Sequence, residues 1–304
     1  MKKLLTLFAV SLLLLSSCSS SVDDLTGSQS QGQTQGASQK RTVTLSLTRS
    51  SDDATAPQAD ISEVSIYVYQ VERKVDSLVY AKTLQLGDGN LQVELPLGEN
   101  LQTFVVANAA SVTDADSLAT VTVNLDADCS NEVYISDIVS FKSDYTTQNV
   151  AVTLHRLVGQ VVLQPLEDET TLSSFGKFDR VDVTFTNMAT GYKVQSGEVV
   201  TRDVTLSTDL TKGFKAQAYS FATATAGTST GLTYKMYKDG AFVNQTAALV
   251  DAGIVFEPSM RYTVNIPLTN EEYLESAWST SAKASARSKA SAVGKPVSVT
   301  VTQF

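Results

Sequence analysis

Histidine is almost absent from this chain: His155 is the only one in 304 residues. A metal site with two His ligands is therefore excluded, and a His-based triad has no base but His155, whose place in Leu154-His155-Arg156-Leu157 suits a structural role. No CxxC, HExxH, P-loop or glycine-rich dinucleotide fingerprint occurs. Positive charge is also short. The formal net charge is −9 and grows more negative if Lys2 and Lys3 are removed, so nucleic acid is not an expected partner. Cysteine is limited to Cys18 and Cys129. If Cys18 is modified, Cys129 has no intrachain disulfide partner and the fold must rely on its core. Cys129 then reads as a small buried hydrophobe, with a reactive or intermolecular thiol as the alternative. Long hydrophobic runs are missing but for one, Leu4 to Leu15, and about twelve such residues fall short of the roughly 30 Å hydrocarbon core of a bilayer.

That one run has a use. Lys2-Lys3, the apolar stretch and Leu15-Ser16-Ser17-Cys18 have the order of a bacterial lipoprotein signal. The thiol of Cys18 would take a diacylglyceryl group, and the small Ser16 and Ser17 would admit a signal peptidase. Cys18 is thus the expected lipidation site and residues 1–17 the expected signal peptide. Several acyl chains would make the anchoring effectively permanent. Residues 18–40 follow, rich in Ser, Gln, Gly and Thr, a composition that reads as a flexible stalk. About twenty such residues give an r.m.s. reach on the order of 25 Å.

Beyond Lys40 the pattern is period two. Val43, Leu45 and Leu47 begin it; Val64, Ile66 and Val68 follow with Tyr67 and Tyr69 on the other face, then Leu91-Val93-Leu95 and Val121-Val123-Leu125. Val181, Val183 and Phe185, then Met260, Tyr262, Val264 and Ile266, continue it. Gly87-Asp88-Gly89-Asn90 and Lys238-Asp239-Gly240 supply turn chemistry. Helix signals are sparse: Thr113-Asp114 predicts a short helix through Leu118, and Asn270-Glu271-Glu272 another through Trp278. Many short strands with few helices predict an all-β chain of two tandem antiparallel β-sandwiches, over 41–155 and 156–270, with the boundary near His155. Residues 271–304 read as a short helix, a polar linker and a last strand bearing Val297, Val299 and Val301 on one face. That strand either completes its own domain or is donated to another molecule.

Catalytic constellations are not evident, so no enzyme activity, cofactor or metal is expected. The acidic pairs Asp23-Asp24, Asp52-Asp53, Glu167-Asp168-Glu169 and Glu271-Glu272 lie in stalk, loop or helix-start contexts. A glycosidase needs two carboxyls converging from separate elements. Asp126-Ala127-Asp128 lacks the remaining ligands of a calcium loop and reads as a solvated turn. Tyr67, Tyr69, Tyr234, Tyr237 and Trp278 keep open an alternative function, a surface glycan-binding lipoprotein. Asp76-Ser77-Leu78 and Asp116-Ser117-Leu118 resemble an O-glycosylation acceptor of exported Bacteroidetes-type proteins.

Taken together, the lipobox at Cys18, Ile61-Ser62-Glu63-Val64-Ser65-Ile66-Tyr67-Val68-Tyr69, Phe104-Val105-Val106-Ala107-Asn108 and Val152-Thr153-Leu154-His155-Arg156-Leu157-Val158-Gly159 resemble the fimbrillin-A associated anchor and minor-subunit lipoproteins of Bacteroidales-type bacteria. The resemblance implies transthyretin-like topology in both sandwiches and a lipid-anchored structural subunit of a surface fimbria, as basal anchor or minor subunit. Ser21-Val22-Asp23-Asp24 also resembles the acidic surface-export signal of such lipoproteins. The implied partners are other fimbrial subunits, joined by β-strand addition, and the outer membrane through lipid on Cys18. Val297, Val299 and Val301 become the candidate donor strand, and Thr42 to Thr48 the strand that could be displaced or paired. Some stalk subunits of this kind are activated by cleavage after arginine, and Arg41 and Arg49 flank that first strand. A permanent anchor would not lose it.

Overall fold

Alternating apolar and polar residues put one face of a strand in a core and the other toward water, and the computed structural model follows that rule closely. It describes residues 39–50, 61–72, 75–87, 89–147, 149–165, 178–209, 216–223, 227–246, 253–266, 268 and 298–303. Among these there are strands and turns but no helix. The strands are β1 (Lys40–Arg49), β2 (Glu63–Glu72), β3 (Val75–Gln85), β4 (Asn90–Pro96), β5 (Gly98–Ala107), β6 (Ser111–Thr113), β7 (Thr122–Asn124), β8 (Tyr134–Ser136) and β9 (Val139–Ser143). They continue with β10 (Asn149–Arg156), β11 (Val158–Pro165), β12 (Arg180–Lys193), β13 (Val199–Asp209), β14 (Ala216–Phe221), β15 (Gly231–Lys238), β16 (Ala241–Thr246), β17 (Met260–Ile266) and β18 (Ser298–Gln303).

Three sheets result. The first, in the order β3-β2-β5-β8-β10-β1-β4 with β9 also on β5, draws every strand from Lys40–Arg156. The second, β14-β11-β17-β18, lies wholly after Val158. The third, β16-β15-β12-β7-β6 with β13 on β12, mixes the two halves. Most ladders are antiparallel, as alternation and tight turns predict; β1–β10 and β11–β17 are parallel. At Lys238-Asp239-Gly240 the chain reverses with φ 48° at Asp239 and 78° at Gly240, so a two-residue loop with both central residues left-handed joins β15 to β16.

Two cores are built from these sheets. Val43, Leu45, Ile66, Val93, Val105 and Val152 fill one, entirely from the first sheet. Phe104, Val106, Ile135 and Val123 enter the other, where they meet Val161, Val183, Phe185, Phe221 and Val264 from the second half. Consecutive residues of β5 therefore go to opposite cores, Phe104 and Val106 to the shared one, Val105 and Ala107 to the first. At about 1.5–3 kcal/mol per large apolar side chain fully buried, a strand buried on both faces contributes roughly twice what a surface strand does.

The join is more than a linker. β10 ends at Arg156 and β11 begins at Val158, so the chain passes from the first sheet to the second across Leu157. Beside it, β7 pairs with β12 through Gly191↔Asn124, Tyr192↔Val123 and Lys193↔Thr122. Leu125 N–H donates to Thr190 O at 2.9 Å and Val194 N–H to Val121 O at 3.2 Å. Gly159 is required there: a Cβ would sit 2.7 Å from Glu257 O.

The helix expected from Thr113 to Leu118 does not form. Asp114 takes φ 52°, and neighbouring backbone groups are claimed by side chains, with Tyr69 Oη donating to Ala115 O and Leu118 N–H donating to Asp76. A left-handed residue and diverted hydrogen bonds give a turn instead. The helix expected from Asn270 lies outside the described residues. Because β5 feeds both cores, Phe104→Ala should cost about 3–5 kcal/mol and shift a single unfolding transition common to both halves, read by thermal or denaturant unfolding. Two separated transitions, only one of them shifted, would contradict the shared core.

Candidate assembly surfaces

The first strand is held on both sides. β1 runs parallel to β10 from Thr44↔Asn149 to Arg49↔Leu154, and antiparallel to β4 from Lys40↔Pro96 to Ser46↔Asn90. Val43 and Leu45 are fully buried, which fixes which face points inward. The Ser46 hydroxyl lies 2.7 Å from Asn90 Oδ1 and 2.9 Å from Asn149 Oδ1, bridging both neighbours. Arg41 stacks over the Tyr145 ring at 5.8 Å and Arg49 over the Tyr134 ring at 5.4 Å. Both arginines thus belong to the strand that they were expected to flank.

The terminal strand belongs to the second sheet. β18 pairs antiparallel with β17, Val299 opposite Val264 and Val301 opposite Tyr262, and forms the end of the second sheet among the described residues. Thr300, Val301, Thr302 and Gln303 are exposed, Val301 to 48%. Val297 and Cys18 lie outside the described residues.

Between these surfaces sits a polar network that the sequence reading missed. Arg156, fully buried, places Nε 2.5 Å from Glu132 Oε1, itself 6% exposed. Tyr134 Oη donates to the same Glu132 oxygen at 2.6 Å, and Arg156 Nη2 donates to Tyr134 Oη at 3.3 Å. Burial, with the hydrogen bond to Glu132, pushes the Tyr134 phenol up to about 12. On the far side Gln160 Nε2 donates to Tyr219 Oη at 3.1 Å and Arg261 Nε to Gln160 Oε1 at 2.6 Å. The signal was present: Arg156 continues the inward phase of Val150, Val152 and Leu154, and a charge on an inward face requires a buried counter-charge. His155, on the opposite face, lies 3.3 Å from Asp137.

The remaining sequence candidates are absorbed by packing. Cys129 is buried, its thiol pushed up to about 11 by burial, with Arg202 Nη2 3.8 Å from Sγ. Asp126 is a turn residue: its carboxylate accepts from Ser130 N–H at 2.6 Å and from the Ser130 hydroxyl. Among the described residues, no three His, Cys, Asp or Glu side chains converge as a metal site. The acidic pairs noted in the sequence fall outside the described residues, as does Trp278. Tyr69 and Tyr234 are buried, and Tyr237 carries Arg180 at 4.0 Å from its ring centre. Tyr67 stacks on Phe104 at 5.0 Å and lines a cleft of about 380 Å³ with Glu63, Ser65, Thr83, Asn108 and Ser111. Glu63 is the one carboxylate in that lining, so the cleft offers no acid–base pair.

The two Asp-Ser-Leu triplets meet. The Ser117 hydroxyl donates to Asp76 Oδ2 at 3.0 Å, alongside the Leu118 N–H. Burial disfavours the Asp76 charge, but these hydrogen bonds outweigh it and hold the carboxyl below its ordinary range.

No protein-family model matches the chain. No curated protein matches it either. Solved structures do. A protein of Bacteroides thetaiotaomicron provisionally assigned to polysaccharide binding is 12% identical, with TM-score 0.49 over 75% of this chain and 92% of that one. A protein of Bacteroides eggerthii provisionally assigned to cell adhesion is 12% identical, with TM-score 0.49 over 87% and 96%. A tip fimbrial protein of Porphyromonas gingivalis with a C-terminal truncation is 12% identical, with TM-score 0.43 over 87% and 100%.

Arg156→Met should destabilise by about 3–5 kcal/mol because it strands a buried carboxylate, and adding Glu132→Leu should recover most of that loss in denaturant unfolding. Asp76 makes a pH-dependent contribution. Its folded pKa is lowered, so the stabilisation is full above the unfolded value of about 3.9 and is lost as pH falls through the folded value. Acid unfolding curves of Asp76→Asn should therefore be less steep in that range than those of the unaltered chain.

Proposed function

We propose that this chain is a lipid-anchored structural subunit of a surface fimbria, a basal anchor or minor subunit with sandwiches over 41–155 and 156–270. Lipid on Cys18 holds it at the outer membrane, and residues 18–40 lift the folded part above the headgroups. Its partners are other fimbrial subunits, joined by strand addition, and it performs no catalysis. The observation that carries this reading is the terminal strand. Val301 is a half-exposed apolar residue on the strand that ends the second sheet among the described residues, and residues 279–295 before it are rich in Ser, Ala and Lys. A strand at an edge presents unpaired backbone groups, and an extended partner segment adds to such an edge through a ladder of hydrogen bonds. The sequence supports the tether through Leu15-Ser16-Ser17-Cys18. The glycan-binding alternative is less well supported, since Tyr69 and Tyr234 are spent in the core.

Cys18→Ala should release fimbriae into the medium, measured by fractionating cells from supernatant; unaltered retention would contradict the anchor role. Deleting residues 296–304 should abolish polymer formation while leaving the fold intact by circular dichroism. Loss of the fold itself would assign the strand to its own domain instead.

A further inference from the structure

Tension on a tethered chain either shears a ladder or peels it, and topology decides which. In this fold the N-terminal segment leads into β1 at Lys40, and the chain leaves the first sheet at the far end of β10, at Arg156. β1 and β10 are neighbours and parallel. Pulling Lys40 backward and Arg156 forward therefore loads the ladder along the strand axis, and its hydrogen bonds resist together. Were the pair antiparallel, both points would lie at one end and the bonds would break in turn.

Other contacts strengthen the same strand against sliding. β4 grips β1 over Lys40–Ser46 while β10 grips it over Thr44–Arg49, so the whole strand is held. Leu47 N–H donates to Gly89 O at 2.7 Å, and Ser50 N–H to Leu154 O at 2.9 Å. A slip by one residue would turn the fully buried Val43 and Leu45 outward and bring Thr42, Thr44 and Ser46 to the inner face. We infer that β1 is a mechanical clamp, placed where force from the N-terminal tether enters the fold and loaded in shear against β10. The inference rests on the anchor reading, because the tether must enter through the N-terminal spacer.

Single-molecule force spectroscopy tests it on one polypeptide, the full chain carrying Cys18→Ala and Ser50→Cys. The chain is held at its C-terminus and pulled either from its N-terminus or from position 50. The second attachment enters at the end of β1 that lies beside the exit from β10, and so peels the ladder. Attachment at position 50 is selective because Cys129 is buried, and the same molecules serve both pulls, so folding is identical. At equal pulling speed, the event that opens residues 50–156, recognised by its gain in contour length, should need a several-fold higher force from the N-terminus. Equal forces, or a lower force from the N-terminus, would overturn the clamp. Such a failure would leave retention of fimbriae through Cys18 untouched, and loss of that retention would leave the directional resistance of the purified chain standing.

Discussion

Burial of both faces of β5 is the constraint from which the rest of this architecture follows. A strand with one wet face can end a domain; a strand whose alternate residues all need cover cannot. Phe104 and Val106 face one way, Val105 and Ala107 the other, and each pair needs its own apolar surroundings. The first sheet supplies one set by bringing β1, β4 and β10 to the inner face of β2 and β5. The second set belongs to a core that Leu118, Val121 and Val123 of the first half share with residues of β11, β12, β14 and β17, so the two halves are packed together. β2 and β8 share the arrangement, with Tyr69 and Ile135 on the shared side and Val68 and Tyr134 on the other.

Polar groups at the join are then forced into low dielectric, where they must satisfy one another. Glu132, Tyr134 and Arg156 do so within a few ångströms, and Gln160, Tyr219 and Arg261 repeat the device on the second sheet. Such a network adds little net stability over an apolar replacement, but removing one partner strands a buried charge. Among the described residues no metal-ligating side chains cluster, the cleft beside Tyr67 has one carboxylate, and β18 stands at the end of the second sheet.

Much of the fold was legible because alternation is a one-residue signal. Val43, Leu45, Val64, Ile66, Leu91, Val93, Val181, Val183, Val264 and Ile266 are all buried where their phase predicted. Cys129 was legible as a buried hydrophobe for the same reason of composition. The apolar run Phe104-Val105-Val106-Ala107 carried the mark of double burial, yet a run alone does not name what covers its second face. β7, three residues long, gave no sign that it would join β12, since that pairing is decided by tertiary packing. Thr113-Asp114 offered a helix cap that lost to Asp76, which lies 42 residues from the Leu118 N–H it accepts and is invisible to any local rule. The tyrosines looked like a platform because alternation distinguishes two faces without saying that both are dry. Cys18, read from the signal pattern, and Val297 lie outside the described residues, and Val299 and Val301 are placed by register against β17.

The central physical claim is that the two halves open as one unit through the shared core. Native-state hydrogen exchange measures it directly, by following amides of β5 at Val105 and of β11 at Val162 in the unaltered chain and in Val161→Ala. The account predicts that both amides report the same opening free energy and that both fall by the same amount, although Val161 lies in the second sheet. A fall confined to β11, with β5 unchanged, would show that the halves open independently and would contradict it.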